Sequence, residues 1–278
     1  MIEVRGLTYR YPNTERDVLR GIDLSIGEGE LVGVVGANGA GKSTLCYALS
    51  GFVPHFFGGT LAGQVTVAGH DVPRTPVGEL ASDIGLVFHN PFNQISGARF
   101  TVLEEVAFGL ENMGVPADEM RVRAEAALAA TGLTDLAERS PFALSGGEQQ
   151  RLAIAAVIAM QPSVLVFDEP TSQLDPAGTR AVFEVLRRLV RERRATIVVV
   201  EHKLGWLAAS VDRLLALHEG KLVADGPPRE VLAQAMDHAW GMGATIYTRT
   251  VQTLLARGLI PPQPLLPATL EQAVEAAR

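Results

Sequence analysis

The stretch GANGAGKST, residues 36–44, has the residue types and spacing of a loop that binds phosphate groups. Glycines let the backbone wrap around phosphates, a lysine neutralises their charge and a hydroxyl holds Mg²⁺. The stretch lies between a predicted strand and a predicted helix, as such a loop requires. The alternative is a glycine turn with a chance lysine. The candidate binding residues are Gly36, Asn38, Gly39, Gly41, Lys42, Ser43 and Thr44.

Candidate catalytic and metal-binding residues also occur at the ends of two later predicted strands. The apolar run VLVFDEP delivers Asp168 and Glu169 at its carboxyl end, where ligands bind in an open parallel sheet. Asp168 would bind Mg²⁺ and Glu169 would polarise an attacking water, although an acidic helix cap is the alternative. The run ATIVVV ends at His202, which could reach the terminal phosphate or could be structural. Lys42, Glu169 and His202 are therefore the candidate catalytic residues.

A second anion cradle occurs in LSGGEQQR, residues 144–151, where a serine and two glycines open a predicted helix. Free backbone N–H groups and the helix dipole favour negative charge at such a position. One nucleotide on one chain would then have two phosphate cradles. We therefore expect Ser145, Gly146 and Gly147 to serve the nucleotide of another chain, in a head-to-tail pair.

Composition narrows the classes of function. The 278 residues carry a net charge of −7 and a pI of about 5.4, which disfavours a broad nucleic-acid surface. One cysteine, Cys46, excludes an internal disulfide framework. The sequence has no signal-peptide pattern and no apolar run long enough to span a bilayer. The chain is predicted to be cytoplasmic, with any membrane role reached through partners.

The order of elements predicts an α/β fold. Strands are predicted at VLRGIDLSI, ELVGVVG, QVTVAG, IGLVF, SVLVFDEP and ATIVVVEH. Helices are predicted over 101–131 in two segments, from Ser145 to about Met160, and from Pro176 to Arg193. Alternating strands and helices indicate a mainly parallel sheet with helices on both faces. Mild helical patterns follow in TIYTRTVQTLLARG and ATLEQAVEAA.

Together these motifs resemble the ATP-binding cassette (ABC) ATPases, over roughly residues 1–235. GANGAGKS resembles their Walker A loop, VLVFDEP the Walker B strand, LSGGEQQR the signature and residues 172–175 the D-loop. The resemblance implies a P-loop NTPase with an antiparallel β subdomain and a helical signature lobe at about 89–160. It also implies ATP and Mg²⁺ as ligands, His202 as the switch histidine and Tyr11 as the adenine-stacking residue. Core packing is the alternative for Tyr11.

Looser stretches resemble the ATPases of energy-coupling factor (ECF) importers for vitamins, vitamin precursors or transition-metal ions. They include GLVFHNPFNQ and EHKLGWLAASVDRLLAL, together with a short helical C-terminal appendage at 236–278. The subgroup implies a second ABC ATPase, the same or homologous, a transmembrane coupling protein and a small substrate-binding membrane protein. The chain would then lie peripherally on the cytoplasmic face of the cell membrane. Phe92 and Phe100 are candidate docking residues, unless they are core aromatics.

One departure from the family pattern affects the predicted metal site. A glutamine usually follows the strand that IGLVF resembles, where it contacts Mg²⁺ and the attacking water; this chain has His89. Imidazole is a poorer Mg²⁺ ligand than an oxygen, and histidines titrate near neutral pH. Hydrolysis is therefore expected to continue, but more slowly or with a pH dependence.

Three other functions fit parts of the sequence. A non-transport ABC ATPase acting on nucleic acid or ribosomes usually has coiled-coil or zinc insertions, or two cassettes, none of which occurs here. A P-loop kinase does not need a second phosphate cradle that acts on another chain, which is what LSGGEQQR predicts. An ABC transporter outside the ECF group differs only in the looser motifs.

Overall fold

The computed structural model describes residues 1–238, 240–263 and 265–278. Its strands are β1 (Ile2–Arg10), β2 (Leu19–Ile26), β3 (Leu31–Gly36), β4 (Thr60–Val67), β5 (His70–Asp71), β6 (Ile84–Val87), β7 (Val164–Asp168), β8 (Thr196–Val200), β9 (Arg213–His218) and β10 (Lys221–Gly226). A four-stranded antiparallel sheet has the order β2-β1-β4-β5, and a six-stranded sheet has the order β10-β9-β3-β8-β7-β6. All strands of the larger sheet are parallel except β10 at its edge. The predicted mainly parallel sheet is confirmed.

The helices occupy the segments between and after these strands. They are α1 (Lys42–Leu49), α2 (Phe52–His55), α3 (Val77–Leu80), α4 (Val102–Asn112), α5 (Ala117–Thr131), α6 (Gly146–Ala159), α7 (Pro176–Arg193), α8 (Leu204–Ser210), α9 (Pro228–Asp237), α10 (Ile246–Ala256) and α11 (Leu270–Ala276). Short 3-10 turns lie at Pro91–Asn93, Thr134–Leu136 and Pro141–Ala143. The predicted helices at 101–131, 145–160 and 176–193 are confirmed.

The alternation of side chains along β8 divides the core into two parts. Ile197 and Val199 belong to the cluster that packs against α6, α7 and α8. Val198 and Val200 belong to the cluster shared with α1 and the antiparallel sheet. Every residue of β8 is buried, as a strand covered on both faces requires. Helices thus cover one face of the sheet, and α1 with the smaller sheet covers the other.

The helices α4, α5 and α6 pack on one another and share the first of these core clusters. Two of them begin with a reciprocal cap, formed by Thr101 with Glu104 and by Ser145 with Glu148. Such caps satisfy N–H groups that have no partner within the helix. The cap therefore sets where α6, which carries the signature-like residues, begins.

The C-terminal segment has hydrogen bonds both to the rest of the chain and within itself. The Arg229 guanidinium donates to the carbonyls of Leu265 and Leu266, and the Thr248 hydroxyl donates to the carbonyl of Pro267 at 2.7 Å. A Cβ added at Gly241 would lie 3.3 Å from Cβ of Ala37 in the phosphate loop. The segment thus reaches the edge of the predicted nucleotide site.

Candidate nucleotide site

The predicted phosphate loop connects β3 to α1, in the strand–loop–helix arrangement that the sequence predicts. Gly36 allows β3 to approach β9, because a Cβ there would lie 2.4 Å from the Leu217 carbonyl oxygen. Gly41 takes a left-handed backbone, with φ of 102°, at the N-terminus of α1. Asn38 and Gly39 are exposed at the tip of the loop. The tip and the first turn of α1 can therefore face an anion.

Lys42 lies within this loop and is only 6% exposed. Its ammonium donates to the carbonyls of Gly36 and Ala37, at 3.0 and 3.1 Å. Burial lowers the pKa of Lys42, and the nearby carboxylates of Glu169 and Asp168 oppose that shift. A bound phosphate group would place a negative charge beside this buried ammonium and so favour its charged form.

Ser43 and Asp168 bring two hard oxygen donors together. The Ser43 hydroxyl donates to Oδ1 of Asp168 at 3.0 Å, and burial raises the pKa of that carboxyl. Within the described ranges, no three His, Cys, Asp or Glu side chains gather as a metal site. Mg²⁺ commonly binds through one or two protein oxygens together with substrate phosphates. The pair therefore fits Mg²⁺ delivered with a nucleotide.

Glu169 follows β7 in a left-handed backbone conformation, with φ of 53°. Its N–H donates to the Val200 carbonyl at 3.0 Å, which anchors this strained position to β8. One carboxylate oxygen lies 2.9 Å from Nε2 of His202, and the other lies 3.6 Å from Nε2 of His89. The structure thus brings these three predicted residues together around one carboxylate.

The position of His89 leads to a prediction about turnover. Its Nε2 lies 3.6 Å from a carboxylate oxygen of Glu169, so the side chain at this position faces the candidate catalytic group. Imidazole is a poorer Mg²⁺ ligand than the amide oxygen of a glutamine, so we expect His89→Gln to raise ATP hydrolysis several-fold. Rates of wild type and variant at saturating ATP and Mg²⁺ test it; equal rates would show that His89 does not matter.

The signature-like residues contact Glu148 and Gln173. Oγ of Ser145 donates to the Glu148 carboxylate at 2.7 Å, and this bond lowers the pKa of Glu148. A Cβ added at Gly146 would lie 2.6 Å from Oε1 of Gln173. Throughout the described part of the chain, no hydrogen bond joins residues 145–147 to residues 36–44. Residues 145–147 and 36–44 are therefore not bonded to each other within one chain.

Tyr11 is half-buried beside the first turn of α1. Its hydroxyl lies 3.1 Å from Oγ1 of Thr44, and its ring meets Tyr9 edge-to-face at a centroid distance of 4.9 Å. Tyr9 is fully buried and supports the ring from behind. Tyr11 thus borders the phosphate loop, with part of its surface free for another ring.

Cys46, the sole cysteine, offers a direct check on the burial of α1. Burial raises the pKa of its thiol well above the usual value, and Asp168 adds to the shift. Because the thiolate is the reactive form, we expect a maleimide dye to leave the native protein unlabelled. The same protein unfolded in guanidinium, the control, should react completely. Rapid labelling of the native chain would contradict this position of α1.

Comparison with known proteins identifies the family. The model of the ABC transporter family matches residues 19–172, more than half of the chain. The chain belongs to the ABC transporter ATP-binding family. It is 43% identical to a putative ABC transporter ATP-binding protein of Pyrococcus horikoshii, over 94% of this chain and 91% of that protein. It spans 38% of a longer relative from Methanosarcina acetivorans.

Three further similarities are to one curated relative and two solved structures. An energy-coupling factor transporter ATP-binding protein of Bacillus subtilis is 42% identical, over 83% of this chain and 80% of its own length. The solved structure of cbiO1 from Clostridium perfringens, part of the ABC transporter complex cbiONQ, has a TM-score of 0.74 and 32% identity. The match covers 92% of this chain and 96% of that one. A dimeric ATP-binding cassette in a post-hydrolysis state, with ADP and phosphate bound, has a TM-score of 0.73 and 30% identity, over 82% and 99%.

This ABC protein is an ATPase subunit of a transporter, with the predicted P-loop NTPase fold. Among its described helices, none has the length and apolar character needed to cross a bilayer. The sequence did not predict the left-handed backbone at Glu169, nor the hydrogen bonds that Ser145 donates to the carboxylate of Glu148. The first has no sequence signal, whereas S-x-x-E at residues 145–148 is the recognisable pattern of a capping box.

Proposed function

We propose that this protein energises an ECF-type importer of a vitamin, a vitamin precursor or a transition-metal ion. The observation that carries the proposal is the division of the site. Lys42, Ser43, Asp168, Glu169 and His202 gather at one place on the chain, whereas Ser145 is bonded to Glu148 and, among the described residues, has no hydrogen bond to any of these five. The similarity to the Bacillus subtilis and Clostridium perfringens proteins supports the ECF type.

In this proposal ATP binds to the phosphate loop with its adenine on Tyr11. Lys42 leaves the loop carbonyls and neutralises the β- and γ-phosphates, while the loop amides hold their oxygens. Ser43 and Asp168 would hold Mg²⁺, which supplies further neutralisation of the phosphate charge when it is bound. Binding thus depends on one chain alone.

Hydrolysis in this proposal needs a second ABC ATPase, the same chain or a homologous one. Ser145, Gly146 and Gly147 of the opposite subunit close on the γ-phosphate, which excludes water and completes the site. Glu169 orients the attacking water and His202 holds the γ-phosphate. Loss of the γ-phosphate contacts opens the dimer, and this motion drives the membrane partner.

The proposed role of Tyr11 leads to a prediction about affinity. Stacking of an aromatic side chain on a base contributes about 1–3 kcal/mol, so Tyr11→Ala should weaken ATP binding by about 5- to 150-fold. Tyr11→Phe keeps the ring, loses only the contact with Thr44, and should bind nearly as the wild type does. Titration with a fluorescent ATP analogue measures both; equal affinities for Tyr11→Ala and wild type would leave Tyr11 a packing residue.

The transmembrane coupling protein is proposed to dock beside His89. Phe92 and Phe100 are 61% and 87% exposed, so they are not core residues. Phe88, next to His89, packs on Phe52 at a centroid distance of 5.1 Å. Exposed aromatic surface of this kind marks interaction sites. The chain would then lie peripherally at the cytoplasmic face of the membrane, where a small membrane protein selects the substrate.

The proposal is tested by purifying the tagged chain from its native membranes in mild detergent and identifying its partners by mass spectrometry. A multi-spanning coupling protein, with a small substrate-binding membrane protein, is the expected result. A transport complex without these two would favour another ABC transporter class. Recovery from the soluble fraction with ribosomes or nucleic acid would overturn the transport proposal.

A further inference from the structure

The loop of residues 171–174 follows the catalytic glutamate and is held by two charged side chains. These are Glu201 and Lys203, the neighbours of His202 on either side. The nucleotide-binding mechanism described above uses neither of them. Both side chains turn to the 171–174 loop, as their hydrogen bonds show.

Glu201 is a carboxylate buried to 2% exposure. One of its oxygens accepts from the N–H of Thr171 at 2.9 Å and from the hydroxyl of Thr171 at 2.5 Å. The other accepts from the N–H of His202 at 3.1 Å. Removing an acceptor from buried donors leaves them without partners, which is costly. Glu201 therefore ties Thr171 directly to the backbone of His202.

Lys203 holds the same loop through a second set of hydrogen bonds. Its ammonium donates to the Thr171 carbonyl at 2.7 Å, the Leu174 carbonyl at 3.0 Å and the Thr179 hydroxyl at 2.8 Å. An ammonium has three N–H groups, and each has an acceptor here. The planar fork of an arginine has a different geometry and cannot reproduce this set.

The 171–174 loop connects the Glu169–His202 pair with the signature-like residues at the start of α6. At one end is Glu169, whose carboxylate lies 2.9 Å from His202. At the other end Gln173 lies against the start of α6. A Cβ added at Gly146 would lie 2.6 Å from the side-chain oxygen of Gln173, and one added at Gly147 would lie 3.4 Å from its carbonyl oxygen. Holding the loop therefore fixes Glu169 and His202 relative to the signature-like residues.

We propose that Glu201 and Lys203 are positioning residues for hydrolysis, which hold the 171–174 loop so that Glu169 and His202 keep their mutual geometry. The proposal rests on the roles proposed above for those two residues. Both act through the loop, and neither lies in the phosphate loop or beside Tyr11. Their loss should affect turnover rather than nucleotide affinity.

The experiment compares ATP hydrolysis by wild type, Lys203→Met and Lys203→Arg. We expect kcat to fall about 10- to 100-fold in Lys203→Met, because small misplacements of reacting groups are costly, with KM for ATP changed less than about twofold. Lys203→Arg should recover part of kcat. Arg187→Met is the matched control: Arg187 donates to the carbonyls of Ala209 and Ser210 at the far end of α8 and should leave both constants unchanged.

A milder variant, Thr179→Val, removes one of the three acceptors while keeping the side-chain shape. It should lower kcat in the same direction by a smaller factor, and it decides the question if Lys203→Met does not fold. Protection of Cys46 from maleimide reports folding in each case. Wild-type kcat in folded Thr179→Val and Lys203→Met, or a higher KM with unchanged kcat, would overturn the proposal. A wild-type chain that binds ATP but pairs neither with itself nor with a homologous ATPase would instead count against the proposed function.

Discussion

Glu169→Gln is expected to reduce ATP hydrolysis by about 10²- to 10⁴-fold, the contribution typical of a positioned general base. The amide keeps the size of the side chain but cannot accept a proton from water. Lys42, Ser43 and Tyr11 are untouched, so ATP should still bind with nearly the wild-type affinity. Phosphate release under single-turnover conditions, together with a binding titration, measures both quantities.

The matched control is Glu125→Gln, which removes an exposed carboxylate paired with Arg121 on α5. Exposed ion pairs of this kind contribute little to stability, and this one is remote from the predicted nucleotide site. Its turnover should equal that of the wild type. If Glu169→Gln hydrolyses ATP at the wild-type rate, Glu169 does not orient the attacking water and the proposed mechanism is wrong at that step.

Lys42→Met is expected to remove the phosphate-loop cation and to lower hydrolysis by about 10²- to 10³-fold, as loss of one charge-stabilising donor commonly does. Unlike Glu169→Gln, it should also weaken ATP binding, because the Lys42 ammonium is proposed to contact the phosphates of bound ATP before hydrolysis begins. Methionine fills most of the buried volume of Lys42, so the loop should keep its fold.

Lys221→Met is the control for Lys42→Met, since Lys221 is exposed at the start of the edge strand β10. A binding titration and a turnover assay on both variants separate affinity from catalysis. Unchanged affinity in Lys42→Met, with turnover also unchanged, would contradict the placement of phosphates on this loop.

The parts of the fold that repeat a local pattern could be predicted from the sequence. The run LVGVVG before GANGAGKST indicates a buried strand, a loop and a helix, since apolar continuity and glycine spacing are local properties. Helix α7 begins and ends where predicted because Asp175 caps it, Pro176 opens it, and basic side chains occupy its last turn.

Other features depend on contacts between distant segments and could not be predicted. The sequence does not predict strands β1, β5, β9 and β10: β1 is interrupted by irregular pairing around Gly6, β5 has two residues, and β10 is a half-exposed edge strand. The left-handed backbone of Glu169 is maintained by its bond to Val200 on another strand. Tertiary contacts of this kind override local propensity.

The candidate site likewise has some features that could be predicted from the sequence and others that could not. Lys42, Ser43, Asp168 and Glu169 follow from motifs, since each motif specifies the chemistry at a strand end. The hydrogen bonds of Glu201 and Lys203 to the 171–174 loop do not, because they join side chains to partners about thirty positions earlier in the chain. Spacing along the chain has no signal for such a contact, which only the folded chain displays.

The central claim is that ATP bound to one chain is completed by Ser145 of a second chain. Light scattering of purified Glu169→Gln tests it most directly, since this chain carries both halves of such a site. With Mg²⁺ and ATP the mass should be twice the 29.6 kDa of one chain; with ADP, or with Ser145→Arg added, it should be that of one chain. A single-chain mass with ATP bound, both alone and after addition of the homologous ATPase that co-purifies with the chain, or a pair that Ser145→Arg leaves intact, would contradict the claim.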